Sequence, residues 1–277
     1  MRLIATLLMI GTVACNKNDE NGVAMANESP SGNASASSGE AATPASNTGA
    51  AIVDKDAVAA LDKMGAYLRS LKTFQVRANT TRDEVLDNGQ KVQSASRSDV
   101  LVQRPNKFRG ESTSDEKRRM YFYDGKTFTL FADRTGYYAS VPAPGNINDL
   151  SETLENKYDI ELPLRDLFLW GTDRAKGGQI TNAIDIGPGE VDGTSVEQYA
   201  FRQNGIDWQV WIQQGENALP CKLVITTRAD PSLPQYTATY RWSAEPPPET
   251  GYTYNPPAEA KAIAMHALDR SKLQPGR

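Results

Sequence analysis

The sequence predicts an α+β fold, in which one antiparallel β-sheet is broken once by a helical insert and preceded by a disordered tether. Three observations carry this reading. Apolar residues recur at three- and four-residue steps near residues 58–71 and again near 147–158, the spacing of one helix face. Between and after those stretches the apolar residues alternate with period two, the signature of half-buried strands. Before them, from Asn16 to about Ala50, the chain carries no aromatic residue.

The first helix is expected to begin after Asp54, a side chain suited to accept from the first free amides, with Val58, Leu61, Met64, Leu68 and Leu71 on its apolar face. From Phe74 the period changes. FQVRANTT, KVQSASRSDVLVQ, NKFRGEST, RRMYFYDGKTFTLFA and GYYASV read as successive strands, with Asn88-Gly89 and Asp124-Gly125 as tight-turn pairs. Ile147, Leu150, Leu154 and Tyr158 then mark a second helix, which Pro163 ends before the short apolar piece LRDLFLWG. Strands resume in QITNAIDIG, SVEQYAFR, IDWQVWIQQ, CKLVITTR and QYTATYRWS, turned at Asp192-Gly193 and Asn204-Gly205. GPGEVDG at 187–193 has glycines but no phosphate-cradling lysine and reads as a turn. Both strand runs share one style with no linker between them, so they are expected to form one sheet.

The N-terminus reads as an address. MRLIATLLMIGTVAC has one cation, Arg2, then an apolar run from Leu3 to Val13, too short for a mature transmembrane helix. Thr12-Val13-Ala14-Cys15 resembles a bacterial lipobox, with threonine where leucine is usual. On that reading Cys15 is acylated, each buried methylene adding about 0.8 kcal/mol of anchoring. The alternative is an ordinary secretory signal cleaved near Ala14. Asn16 is not the aspartate of inner-membrane retention, which favours the outer membrane. Residues 16–53 are expected to be a linker whose composition cannot offset its ordering entropy. Its reach is on the order of 30–35 Å. The folded body is expected over 54–257 and a tail over 258–277.

Composition excludes much chemistry. The 277 residues hold 30 Lys+Arg against 34 Asp+Glu, a formal charge of −4 that gives no reason to expect a nucleic-acid partner. One histidine and two cysteines remove most zinc, triad and disulfide-framework possibilities. His266 sits in an Ala-rich tail without neighbouring ligands, and Cys221 has no base nearby in the sequence. Asp115-Glu116-Lys117-Arg118-Arg119 mixes signs and reads as a solvated turn. Asp166 could pin the insert, and an acid role would need a second carboxylate. No enzyme activity, metal or cofactor is expected.

The residues from Val191 to Trp242 resemble a known family. DWQVWI, Leu219-Pro220, Lys222 to Thr227, Pro234-Gln235-Tyr236 and Trp242 look like a bacterial family of predicted periplasmic proteins of unknown function. So do RRMYFYDGKTFTLF, GYYASVPAPG, KYDIELPLRDLF and TYNPPAEAKAI, which extends the resemblance to about Val58–Ile263. Cys221 stands where the family usually has a basic residue and Glu259 where it has a small one. The family is related to the lipoprotein-localisation carriers LolA and LolB. The resemblance implies an unclosed antiparallel half-barrel with helices across its concave face, and a cavity for acyl chains.

Within that frame, parity along the strands selects candidates. Trp208, Val210 and Ile212 share one face of their strand, and Tyr123, Phe128 and Leu130 pair by parity on neighbouring ones. They are expected either to line a lipid-sized cavity or simply to pack sheet against helix. Leu167, Phe168, Leu169 and Trp170, between Pro163 and Gly171, are expected to form a lid over the concave face or a fixed plug in it. The expected ligand is lipid or the acyl chains of lipoproteins, and the membrane is met through Cys15. The alternative is a non-catalytic interaction or sensing module for an envelope protein.

Overall fold

The computed structural model describes residues 52–143, 145–172 and 179–268. The chain divides into two units, 1–50 and 51–277, and the first, with Cys15 and most of the expected linker, lies outside the described residues. Helix α1 spans Lys55–Ser70. Its cap is the expected one, for Asp54 Oδ1 accepts from the amides of Asp56 at 2.8 Å and Ala57 at 3.4 Å. Its buried stripe centres on Ala57, Met64, Gly65 and Leu68, with Val58 and Leu61 at its margin.

Six strands follow as a meander: β1 Thr73–Val85, β2 Lys91–Gln103, β3 Lys107–Ser114, β4 Arg118–Tyr123, β5 Thr127–Ala132 and β6 Tyr137–Pro142. The insert comprises α2 (Ile147–Thr153), a π-helical turn (Leu154–Tyr158) and α3 (Asp166–Leu169). Five more strands form a second meander: β7 Asn182–Val191, β8 Thr194–Gln203, β9 Ile206–Gln213, β10 Pro220–Thr227 and β11 Gln235–Trp242. A two-residue strand, β12 (Lys261–Ala262), comes last. GPGEVDG is mostly strand rather than turn, since Gly187 to Val191 pair with β8 beyond a bulge at Asp185–Gly187. Pro188 is tolerated there because β7 is the outermost named strand.

All strands join one unclosed sheet in the order β12-β6-β5-β4-β3-β2-β1-β11-β10-β9-β8-β7. The two meanders meet where β1 pairs with β11, Val76 opposite Trp242 and Ala78 opposite Tyr240. Short segments cover part of each edge. Strand β12 pairs in parallel with β6, and Val53 bridges to Ala183 of β7.

This order fixes the path of the insert. β6 lies near one edge and β7 at the other, ten strand spacings away, or about 48 Å along a sheet with ~4.8 Å between strands. The connection must cross the sheet, and it does so over the face that carries the core. That face bears Phe74, Val76 and Ala78 of β1, Val100 and Val102 of β2, Phe108 of β3 and Val210 of β9, all buried. The opposite face is more polar, with Arg202–Asp207, Arg118–Glu111 and Arg77–Asp99 pairs across neighbouring strands. On that side the Tyr254 ring covers Phe122, Phe131 and Tyr138 at 5.1–5.3 Å.

Candidate functional site on the concave face

The strand register places all six nominated cavity residues on the helix-covered face, in two groups. Tyr123 lies opposite Phe128, and Leu130 lies opposite Tyr121, across β4 and β5. Trp208 and Val210 lie opposite Ile225 and Leu223, and Ile212 lies opposite Pro220. Strands β3, β2, β1, β11 and β10 separate the groups. Five of the six are buried and Leu130 is half-buried. The Trp208 ring stacks on Phe201 at 4.3 Å, and its indole N–H donates to the buried Gln203 at 3.0 Å. Tyr123 donates its hydroxyl to Gly145 O at 2.9 Å, holding the approach to α2.

The four insert residues sit on the same face. Leu167, Phe168 and Leu169 are buried and Trp170 is half-buried. The Phe168 ring meets Phe74 at 6.0 Å and Phe108 edge-on at 5.8 Å. Glycines make the seat. A Cβ on Gly110 would come within 2.8 Å of Pro163 Cγ, and one on Gly65 within 2.8 Å of Gly171 Cα. Any larger residue at Gly65 would push α1 and the insert apart. Leu164 (φ 56°) and Gly171 (φ 73°) have left-handed backbone at either end of the apolar piece, and the ion pair of Arg165 with Glu155 ties it to the π-helical turn.

Farther along the strands the concave face changes character. Thr80 and Arg82 of β1, Ser96 of β2, Ser112 and Ser114 of β3 and Tyr236 of β11 are half-buried. Two insert carboxylates reach this end. Glu161 is exposed to water yet surrounded by protein; that surrounding, with the Asp166 carboxylate, pushes its pKa up to about 7 against the pull of Arg165 and Arg82. Burial likewise raises the pKa of Asp166, with Arg165 opposing. This supplies a second carboxylate near Asp166, which no pattern in the sequence could place. Burial also raises the Tyr236 hydroxyl's pKa, to which both carboxylates add.

Other polar residues weighed from sequence fall away from this face or are inert. Cys221 is buried, and burial followed by the Asp192 carboxylate pushes its thiol up to about 11, far from a reactive thiolate. His266 is exposed. Arg118 of the mixed charge cluster pairs with Glu111 at 2.8 Å and Asp133 at 3.0 Å. Among the described residues, no group of three or more His, Cys, Asp or Glu side chains could hold a metal ion.

The chain belongs to the family described as predicted periplasmic protein (DUF2092), which its sequence matches over residues 57–266. No curated protein matches the sequence. Among solved structures it is similar to the lipoprotein LppX of Mycobacterium tuberculosis, at 15% identity and a TM-score of 0.41, covering 69% of this chain and 97% of that one. It is also similar to LprF of Mycobacterium bovis, at 14% identity and a TM-score of 0.41, covering 76% and 100%. A LolA superfamily protein of Nitrosomonas europaea aligns at 11% identity and a TM-score of 0.33, covering 72% and 97%.

Proposed function

We propose that the protein is a lipid-anchored envelope protein, outer membrane in preference to inner, that binds lipid or lipoprotein acyl chains on the concave face without catalysing a reaction. Cys15 is the anchor, and palmitate labelling that is lost in Cys15→Ser tests it. The observation that carries the binding reading is the seat of the insert. Phe168 and its neighbours occupy an apolar bed of Phe74 and Phe108 through ring contacts, between two left-handed backbone positions. An acyl chain entering that bed displaces the insert, which acts as a lid, and takes over its apolar contacts.

Hydrogen exchange tests this on the Cys15→Ser protein. Added palmitate should speed exchange across 162–172, and Gly65→Ala should do so without ligand, because its new methyl has no room beside Gly171. The alternative, an interaction module for an envelope protein, draws on the depth to which Leu167 and Phe168 are buried. Slow exchange across 162–172 that no lipid changes would make the insert a plug and favour that alternative.

A further inference from the structure

Arg104 sinks part of its guanidinium into the protein without an anionic partner. It lies between β2 and β3, and its amide donates to Lys72 O at 2.7 Å, which brings the two cationic residues side by side. Its guanidinium lies over two rings of the concave core, 5.9 Å from the Phe74 centroid and 5.7 Å from Phe168. The rings offset part of the charge but offer no acceptor in the guanidinium plane. Nε and Nη2 are buried and have no hydrogen-bond partner. Burial alone lowers the Arg104 pKa, with no carboxylate acting to raise it. A cation left in this condition is costly unless an anion completes it.

Space for that anion adjoins the side chain. A cavity of about 450 Å³ is lined by Lys72, Arg104, Pro105, Asn146, Ile147 and Asn148, so its wall has two cations and no acid. The nearest carboxylate in sequence, Asp149, is exposed and accepts from Asn146 Nδ2 at 2.7 Å. The volume falls within the range of small-molecule sites, about 300–1,000 Å³, and exceeds what a bare anion needs. Both bidentate edges of the guanidinium include the buried Nη2. A phosphate in the cavity therefore accepts two parallel N–H bonds once the guanidinium swings off the rings, and a third, charge-assisted one from the Lys72 ammonium.

We propose that this cavity binds a phosphate group, held by Arg104 and Lys72, and that the group is the headgroup of an amphiphile whose chain follows the insert. The site deepens the lipid-binding reading and rests on it only for the chain, not for the phosphate. Because Arg104 stacks on Phe168, drawing its guanidinium toward a phosphate alters the bed on which the insert sits.

Isothermal titration of the full chain tests the proposal with three probes: sodium phosphate, submicellar dihexanoyl phosphatidic acid, and uncharged octyl glucoside. Phosphate should bind saturably at an ionic strength where chloride does not. Lys72→Gln, at an exposed position, should weaken that binding about tenfold, the loss of one charge-assisted contact. Arg104→Lys keeps the charge and loses the fork, and should weaken it similarly. Tighter binding of the phosphatidic acid than of free phosphate would support the headgroup assignment. Equal binding of the two would leave the phosphate site standing and overturn its link to lipid. No phosphate binding, or unchanged binding in Lys72→Gln, would overturn the site, even if octyl glucoside still bound and the lipid reading survived.

Discussion

The two ends of the concave face are built from the same strands and have opposite chemistry. At one end Phe74, Val76, Val100, Val102 and Phe108 are buried beneath the insert. At the other, the same faces of β1, β2 and β3 continue as Thr80, Arg82, Ser96, Ser112 and Ser114, half-buried and met by Glu161 and Asp166. The residues compared are spaced by two along each strand and point the same way, so alternation cannot produce the difference. Side-chain type does. Apolar residues stop at Ala78 on β1 and at Val100 on β2, and burial ends at Ala78 and its cross-strand neighbour Ser98. A sheet face is therefore a poor guide to a cavity unless the change of residue type along it is followed too.

The sharpest way to break the comparison is to remove volume from the dry end. Phe108 is fully buried and packs edge-on against Phe168. Phe108→Ala should cost about 3–5 kcal/mol in urea unfolding, the range for emptying an aromatic site in a packed core. A cost near ~1 kcal/mol would mean that the insert end is loosely filled, and the contrast between the ends would disappear.

Much of this architecture was legible in the sequence because its cues are local. Asn88-Gly89, Asp124-Gly125, Asp192-Gly193 and Asn204-Gly205 all mark turns, and each of those glycines has positive φ. The alternation in IDWQVWIQ matches the buried and half-buried positions of β9 one for one. What was not legible depends on neighbours distant in sequence. Arg104 followed by proline reads as a turn, and nothing local reveals that its guanidinium lies against Phe74 and Phe168. Glu161 reads as one more charged residue near a helix end, and its raised pKa comes from the protein packed around it and from Asp166. GPGEVDG misleads because glycine and proline usually signal a turn, whereas an edge strand accepts both.

The polar end makes a smaller prediction, through pH. The charged groups facing Glu161 are Asp166 and Arg165 of the insert, Glu155 of the π-helical turn and Arg82 of β1, with the Tyr121 and Tyr236 hydroxyls of β4 and β11 also within its field. Its folded pKa of about 7 lies above its ordinary value of 4.5, so the folded state holds the proton more tightly than the unfolded one. Its favourable contribution is therefore complete below pH 4.5 and is lost as pH rises through about 7. Glu161→Gln should raise the melting temperature at about pH 8, by a few degrees at most because the group is exposed, and leave it unchanged at about pH 4. A variant that melts like the wild type at both values would show Glu161 to be freely solvated and the polar end to be ordinary surface.

The smallest expected effect sharpens the boundary between the ends. Thr80 and Ser96 face each other across β1 and β2, two positions beyond buried Ala78 and Ser98, with their hydroxyl oxygens 2.7 Å apart. In a dry core, removing one hydroxyl would strand its partner and cost about 1–3 kcal/mol. Both residues are half-buried, so water can replace the missing group. Ser96→Ala should therefore cost no more than about 0.5 kcal/mol in the same urea titration, as is usual for substitutions away from a packed core. Ser98→Ala, one step back along the same face and buried, gives the internal reference and should cost more. Equal and large costs at both positions would move the dry core past Thr80, leaving Glu161 and Asp166 at the edge of a sealed interior rather than an open one.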